Sequence, residues 1–552
     1  MIFLSIFFFY PLASVFRLAL EQPVSGELFS EMAYRVWRPL RFTLLQAGLS
    51  TLLTLVIGLP AAGVFANYDF PGKRLLRTLT TIPFILPTVV TAAAINALLG
   101  PNGWLNLGLM SLFSLESPPL QVVNSLGGIL LAHVFYNTTV VLRVVGTAWA
   151  RLDARIQQAA RVLGASPRQM FWQTTLPLLL PSILAASLLV FLFDFTSFGV
   201  ILLLGGPKFT TLEVEIYVQA LQMLNLPLAS LLSAVQLFFT LLLTVIYSQA
   251  ARRMNVPMRP NFQREGERQP RSKGERLLVI LVVIGLVVLL VLPLLALALR
   301  SVTFVDSGGN LQWSGQFYRE LFINRRQSFF YVPPIEAARN SLVYAGVTVI
   351  ISLLLGLLAS YALSRPGWLN RILDPLLMLP LGASAVTLGL GFILVFNRPP
   401  LDVSSFPLLI PLAHSLVALP FVVRAVQPAL SSLPASLHQA ASVLGASPWR
   451  AWWEVEAPIA ARAGLVGALF AFTISLGEFG ATSMLARPEY PTLPVAIFRF
   501  LGQPGAVNYG QAMAMATILM VICSICILLT ERIRLPGESI GTASGAGGEG
   551  NA

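Results

Sequence analysis

Apolar stretches of bilayer-crossing length recur along the 552-residue chain, separated by short polar segments. A membrane helix needs about 20 mostly apolar residues. Twelve stretches qualify: 2–20, 42–66, 78–100, 127–149, 178–204, 227–250, 277–299, 339–363, 373–396, 405–428, 462–485 and 508–530. Hydrocarbon offers the backbone no hydrogen-bond partner, so such stretches are predicted to be helices. The stretch 2–20 has no basic leader and no convincing cleavage site after it. It reads as the first membrane helix, not a secretory signal.

The basic residues of the polar segments set the orientation. Lys73, Arg74 and Arg77 follow the second span, and Arg151, Arg155, Arg161 and Arg168 follow the fourth. Eight more, from Arg252 to Arg276, follow the sixth. The segment 101–126 has no Lys or Arg, and the one after the fifth span has only Lys208. Even-numbered loops and both termini are therefore expected in the cytoplasm. The long segment 300–338 fits less well, because parity places its Arg300, Arg319, Arg325 and Arg326 outside.

The two halves of the chain are copies. Shifted by 281 residues, 131–177 falls on 412–458 without a gap, with 20 of 47 positions identical. The matches include His133 with His414, Arg143 with Arg424, Trp172 with Trp453, and the run VLGASP at 162–167 and 443–448. Phe198-Gly199 falls on Phe479-Gly480. Six spans per copy is an even number, so the copies run the same way through the membrane about an axis along its normal. The expected fold is an all-α polytopic membrane protein with about 12 transmembrane helices in two parallel six-helix repeats. The domains are then 1–250, a first transmembrane domain, and 277–535, a second. The polar, basic segment 251–276 is a cytoplasmic linker. The Gly/Ser-rich tail 536–552 is expected to be disordered.

The best-matched part of the repeat is a cytoplasmic loop. In each copy it reads Gln-Ala-Ala, three residues, Gly, twelve residues, Pro. Residues 152–163 suit an amphipathic helix, Gly164 a backbone turn, and Ser166-Pro167 the cap and first position of a second helix. Pro177 closes that helix at the membrane. Residues 433–458 repeat the arrangement.

These residues resemble the cytoplasmic signature of permease subunits of binding-protein-dependent ABC importers. That signature is Glu-Ala-Ala, three residues, Gly, nine residues, Ile, one residue, Leu-Pro. Here it falls on Gln158, Ala159, Ala160, Gly164, Thr174, Leu176 and Pro177, and again on Gln439, Ala440, Ala441, Gly445, Val455, Ala457 and Pro458. Gln replaces Glu in both copies. The resemblance implies a type I importer-like fold. It also implies that Gln158, Ala159, Ala160, Gly164, Pro177, Gln439, Ala440, Ala441, Gly445 and Pro458 dock two copies of an ABC ATPase subunit. One extracytoplasmic solute-binding protein would deliver the substrate. The fused form resembles ferric-iron and thiamine permeases, through FTSFGVILLLGGPKFTTLEVEIY (195–217) and SLGEFGATSML (475–485).

Composition narrows the choice further. Of all residues 56% are hydrophobic and only 11% charged, with a mean hydropathy of +0.76. That excludes a soluble enzyme, a disordered chain and a nucleic-acid-binding protein as overall readings. The net charge of +12 fits basic loops beside an anionic lipid leaflet. Cys523 and Cys526 share an apolar run without a nearby histidine and read as buried hydrophobes. No GxxxxGK[ST] phosphate loop occurs. The chain is therefore expected to be no enzyme and to bind no cofactor or metal, with ATP held on partner subunits.

Asp194 and Glu478 are acids well inside expected spans, and in the repeat frame they lie three positions apart. Charges at bilayer depth must face protein or water, which makes both candidate substrate-pathway residues suited to a cation. The structural alternative is hydrogen bonding to neighbouring helices. His133 and His414 suit interhelical hydrogen bonds. Arg143 and Arg424 suit snorkelling, or contact with the signature loop. Tyr10, Trp37, Trp104 and Trp313 suit interfacial anchoring. The rival class is a proton- or ion-coupled secondary transporter of the major facilitator kind, for which NYDFPGKRLLR (67–77) offers a partial basic-loop likeness.

Overall fold

The computed structural model describes residues 1–21, 26–253, 268–305, 311–323, 332–364, 367–368, 370–396, 406 and 408–533. Most of the expected linker and the whole expected tail 536–552 lie outside these residues. The first half contains α1 (Ile2–Leu20), α2 (Gly26–Asn67), α3 (Lys73–Ile85), α4 (Thr88–Leu99), α5 (Trp104–Phe113) and α6 (Leu126–Ala150). It continues with α7 (Ala154–Val162), α8 (Arg168–Phe195), α9 (Gly199–Leu204), α10 (Leu212–Tyr217) and α11 (Leu226–Arg253). The second half contains α12 (Lys273–Arg300), α13 (Gln316–Glu320), α14 (Pro334–Ser364), α15 (Asn370–Gly382), α16 (Ala385–Val395) and α17 (Leu409–Ser431). It ends with α18 (Ala435–Val443), α19 (Pro448–Gly477), α20 (Gly480–Leu485), α21 (Leu493–Leu501) and α22 (Ala506–Ile533). The segment between α12 and α13 adds a small antiparallel hairpin, β1 (Thr303–Val305) with β2 (Leu311–Trp313).

Ten of these helices are long and apolar enough to cross a membrane. Four of the twelve expected spans are not continuous helices. The stretch 78–100 breaks at Leu86-Pro87, where α3 and α4–α5 meet at 112°. The stretch 373–396 breaks at Ala383-Ser384, where α15 and α16 meet at 96°. The stretches 178–204 and 462–485 stop at Phe195 and Gly477, and short helices resume at Gly199 and Gly480. Proline supplies the first break: it lacks an N–H and disfavours a helical residue before it. Ser384 supplies the second by capping α16, its Oγ accepting from the Thr387 amide at 3.2 Å.

Each bent pair nevertheless makes one crossing. Contacts of α3–α4 climb α6 from one end to the other: Thr81 with Arg143, Thr80 with Thr139, Leu86 with Tyr136, and Ile95 beside Ala132. Parity agrees. Backbone hydrogen bonds join Asn67 and Asp69 to Arg268, so the ends of α2 and of the linker share one face. Arg143 pairs with Glu531 at 3.2 Å, which brings the basic end of α6 to the end of α22. Both contacts require an even number of crossings between their partners, and that count is even only when each pair crosses once.

The core of each half is a triangle of helices, α2, α6 and α8 in the first and α14, α17 and α19 in the second. Glycine brings equivalent helices into close approach. A Cβ at Gly58 would come within 2.8 Å of Val141, and one at Gly356 within 2.5 Å of Val422. In lipid, small residues at such crossings let packing substitute for a hydrophobic driving force. The first helix of each half packs on the opposite half as well as its own: α1 on α16 and α11, α12 on α4 and α22. Each half thus meets the other through the same patch, which is the mark of a two-fold relation.

Candidate functional site

The two signature loops fold alike. After α6 and α17 the chain leaves the membrane core, turns through α7 or α18, and re-enters through α8 or α19. Gly164 and Gly445 end the short helices with φ of 83° and 78°, a left-handed conformation that glycine adopts without Cβ strain. Each turn is closed by the bonding of a glycine helix stop. The Ala165 amide donates to the Ala160 carbonyl and the Ala446 amide to the Ala441 carbonyl, both at 3.0 Å. The next helix is capped by serine in both copies. Ser166 accepts from the Gln169 amide at 3.3 Å, and Ser447 accepts from the Arg450 amide at 3.3 Å. A wide helical turn then follows at Phe171–Thr175 and Trp452–Glu456.

Of the residues carried by the signature, Ala159, Gly164, Pro177, Gln439, Ala440, Gly445 and Pro458 are exposed, and Ala160 and Ala441 are half-buried. Gln158 lies on α7, but its side chain falls outside the described ones. Just before each glycine stand two residues that the signature does not single out as contacts. Val162 and Leu163 are 88% and 87% exposed, and Val443 and Leu444 are each 87% exposed. Neighbouring rings Trp172, Trp449 and Trp453 are exposed too. The periodicity of an amphipathic helix does not reveal an apolar pair at its stop. The available signal is their identity in both copies.

Among the described residues, Arg143 and Arg424 make their contacts away from these loops. Arg143 donates to Thr81 at 2.7 Å and pairs with Glu531, while Arg424 lies 3.5 Å from Asp374. Tyr10, Trp37 and Trp313 are exposed. Trp104 instead packs between the halves, its Nε1 donating to the Ala296 carbonyl at 3.2 Å.

The four helix breaks converge at the centre, and buried polar groups satisfy them. A broken helix exposes unpaired backbone groups that lipid cannot serve. Glu478 serves α20: its two carboxylate oxygens accept from the Ala481 and Thr482 amides, each at 2.9 Å. His414 bridges this site to α19, with Nε2 2.7 Å from Thr482 Oγ1 and 3.3 Å from Glu478, and Nδ1 2.8 Å from Ser475. The first half inverts the chemistry. His133 Nε2 lies 2.8 Å from Ser197, while Nδ1 lies 3.0 Å from Ser50 and 3.5 Å from Asp194. Asn137 donates to Asp194 Oδ1 at 2.7 Å, and Gln46 donates to the Asp194 carbonyl at 2.7 Å. In the repeat frame Asp194 falls on Ser475, and Ser197 falls on Glu478. At these two matched positions each histidine therefore has one acid and one serine, on opposite sides of the ring in the two halves. Asp194 Oδ2 is buried without a partner.

Glu213 is a third buried acid, which span-by-span reading misses because it lies between expected spans. Its carboxylate accepts from Gln236 at 2.8 Å and, across the two halves, from Ser384 at 2.6 Å. The two acids of LEVEIY (212–217), Glu213 and Glu215, are the available signal. Cys523 and Cys526 are buried and free. Among the described residues, no group of three His, Cys, Asp or Glu could hold a metal ion.

Comparison with known proteins agrees with this architecture. The pattern of the family described as binding-protein-dependent transport system inner membrane component matches residues 54–256 and 352–533, once per half. The chain belongs to this family. It is the permease component of a binding-protein-dependent ABC importer and a multi-pass inner membrane protein, so the secondary-transporter alternative falls away. It is 27% identical to the thiamine transport system permease protein ThiP of Brucella abortus (strain 2308), over 96% of this chain and 94% of that one. It is 28% identical to ThiP of Escherichia coli (strain K12), over 92% and 90%. It is 26% identical to a probable ABC transporter permease, y4fN, of Sinorhizobium fredii, over 96% and 94%. Among solved structures, a chain of a bacterial alginate ABC transporter in complex with a pentasaccharide-bound periplasmic protein aligns over 46% of this chain and 92% of its own. Its identity is 21% and its TM-score 0.39.

Proposed function

We propose that this chain is the whole transmembrane pore of an ATP-driven importer that takes thiamine, or a closely related organic cation, from an extracytoplasmic binding protein. Two ATPase subunits seat on the two signature loops, one on 158–177 and one on 439–458, and ATP is bound on those subunits. The basic face, with both termini and both loops, is cytoplasmic, a reading that the Lys and Arg distribution supports.

The observation that carries this reading is the duplicate pair Val162-Leu163 and Val443-Leu444. Four aliphatic side chains stand almost fully in solvent at equivalent turns. Exposed apolar groups in one repeated geometry mark a partner surface, and the repetition calls for two like partners. Each pair sits at a glycine stop, just ahead of the serine cap of the next helix. The thiamine assignment is supported by the similarity to thiamine permeases along more than nine-tenths of the chain.

The test is reconstitution of the chain in liposomes with its ATPase and binding protein. ATP should drive accumulation of tritiated thiamine, and removal of either partner should abolish it. Accumulation of ferric iron in place of thiamine would overturn the substrate, and uptake without the ATPase would overturn the coupling.

A further inference from the structure

At the centre of the molecule four aromatic rings touch in a row. Phe198 and Phe479 stack with centroids 5.4 Å apart and planes 25° apart. Tyr217 flanks Phe198 at 5.4 Å, and Phe498 flanks Phe479 at 5.5 Å. The row is symmetric, since Phe479 is the repeat mate of Phe198 and Phe498 that of Tyr217, at the offset that relates the halves. Two residues related by a two-fold axis can touch only if they straddle it. The Phe198–Phe479 contact therefore lies on the axis, where a pore between two equivalent halves must run.

The rings are fixed from behind. Phe198 and Phe479 occupy the breaks after α8 and α19, immediately before Gly199 and Gly480. A Cβ at Gly199 would collide with Thr88, and one at Gly480 would meet Ala385 at 2.9 Å. Only glycine lets the breaks of neighbouring helices close on each other at these points. The His133–Ser197 hydrogen bond and the His414–Glu478 contact hold the residues just before the rings. Both phenylalanines are buried.

We propose that Phe198 and Phe479 seal the transport path and that a cation built of flat aromatic rings passes by sliding one ring at a time between them. The proposal rests on the importer reading above and names the recognition chemistry of its pore. A flat ring needs about 3.5 Å of clearance to each neighbour. Parting the centroids from 5.4 Å by roughly 2 Å would therefore admit one ring and no bulkier group. The exposed ring faces then stack on the substrate and favour positive charge. The Glu478 carboxylate, adjacent to Phe479, favours the same sign.

Two double variants test this in liposomes. Phe198→Ala with Phe479→Ala removes the seal, and passive efflux of trapped tritiated thiamine from vesicles holding the chain alone should rise at least severalfold. Phe198→Leu with Phe479→Leu keeps apolar bulk without rings. It should stay tight, yet in the full complex move fewer thiamine molecules per ATP hydrolysed, by roughly two- to tenfold, the range that ring stacking is worth. A folded Ala variant as tight as the parent overturns the seal. A Leu variant with unaltered coupling overturns the stacking. A parent complex that moves no thiamine overturns the proposed substrate and the stacking with it, while passive efflux of trapped glucose from the Ala variant still decides the seal.

Discussion

Replacing Gly164 and Gly445 together by valine should uncouple the transporter without unfolding it. Both glycines hold φ near +80°, and neither has an atom within 4 Å of where a Cβ would stand. Valine there meets no clash, so the cost is confined to the backbone. A left-handed conformation costs an L-residue about 1–2 kcal/mol, and a β-branched one lies at the upper end. That is roughly a five- to thirtyfold loss of the docking-competent turn in each loop, and both loops must act together. The turn would relax by losing the Ala165–Ala160 and Ala446–Ala441 hydrogen bonds. ATPase retained on affinity-purified complex and ATP-driven thiamine uptake should both fall at least tenfold, while membrane insertion and the thermal midpoint in detergent stay unchanged. Asparagine, which tolerates the left-handed region, should retain most of the uptake at both positions. Gly58→Val is the contrasting case, because Val141 lies within 2.8 Å and the helix triangle itself would shift. Normal uptake by the double valine variant, or an asparagine variant as impaired as valine, would refute the reasoning.

Changing Val162 and Leu163 to serine, or Val443 and Leu444, should leave detergent stability intact and weaken ATPase binding in a pull-down titration, since burying each aliphatic side chain is worth about 1.5–3 kcal/mol. Unaltered binding would remove them from the interface. Asp194→Asn combined with Glu478→Gln keeps shape and removes charge; thiamine uptake should slow while calorimetry shows the binding protein's own affinity unchanged, and an unchanged uptake rate would leave both acids a purely structural role. Glu478→Ala strands the Ala481 and Thr482 amides, at about 1–3 kcal/mol for each unpaired group, so the thermal midpoint should drop well below that of Glu478→Gln; equal midpoints would contradict the capping role.

Much of this architecture is legible in the sequence. A repeat that keeps His, Arg, Trp and Pro in register shows two like halves, and the glycine spacing shows where each half turns back toward the membrane. The helix breaks are not legible. Hydropathy averages over a window, and residues 196–198 or 478–479 are too few to interrupt an apolar run, although Ser197 and Glu478 mark the places. Nor can hydropathy show that α1 and α12 lean on opposite halves, because an apolar helix face does not name its neighbour. The depth of the two acids in apolar runs is enough to show that they need protein partners. That Asp194 sits beside Asn137 and Glu478 caps α20 follows from the breaks, and so is hidden with them. Val162 and Leu163 look like the apolar face of an interfacial helix, and only their exposure separates a docking surface from a buried stripe.

The central claim is that one chain carries both docking loops and forms the whole pore. Native mass spectrometry of the complex purified with its ATPase tests it most directly. The account predicts one copy of this chain with two ATPases, gaining one binding protein when that is added. Two copies of the chain per two ATPases would contradict it.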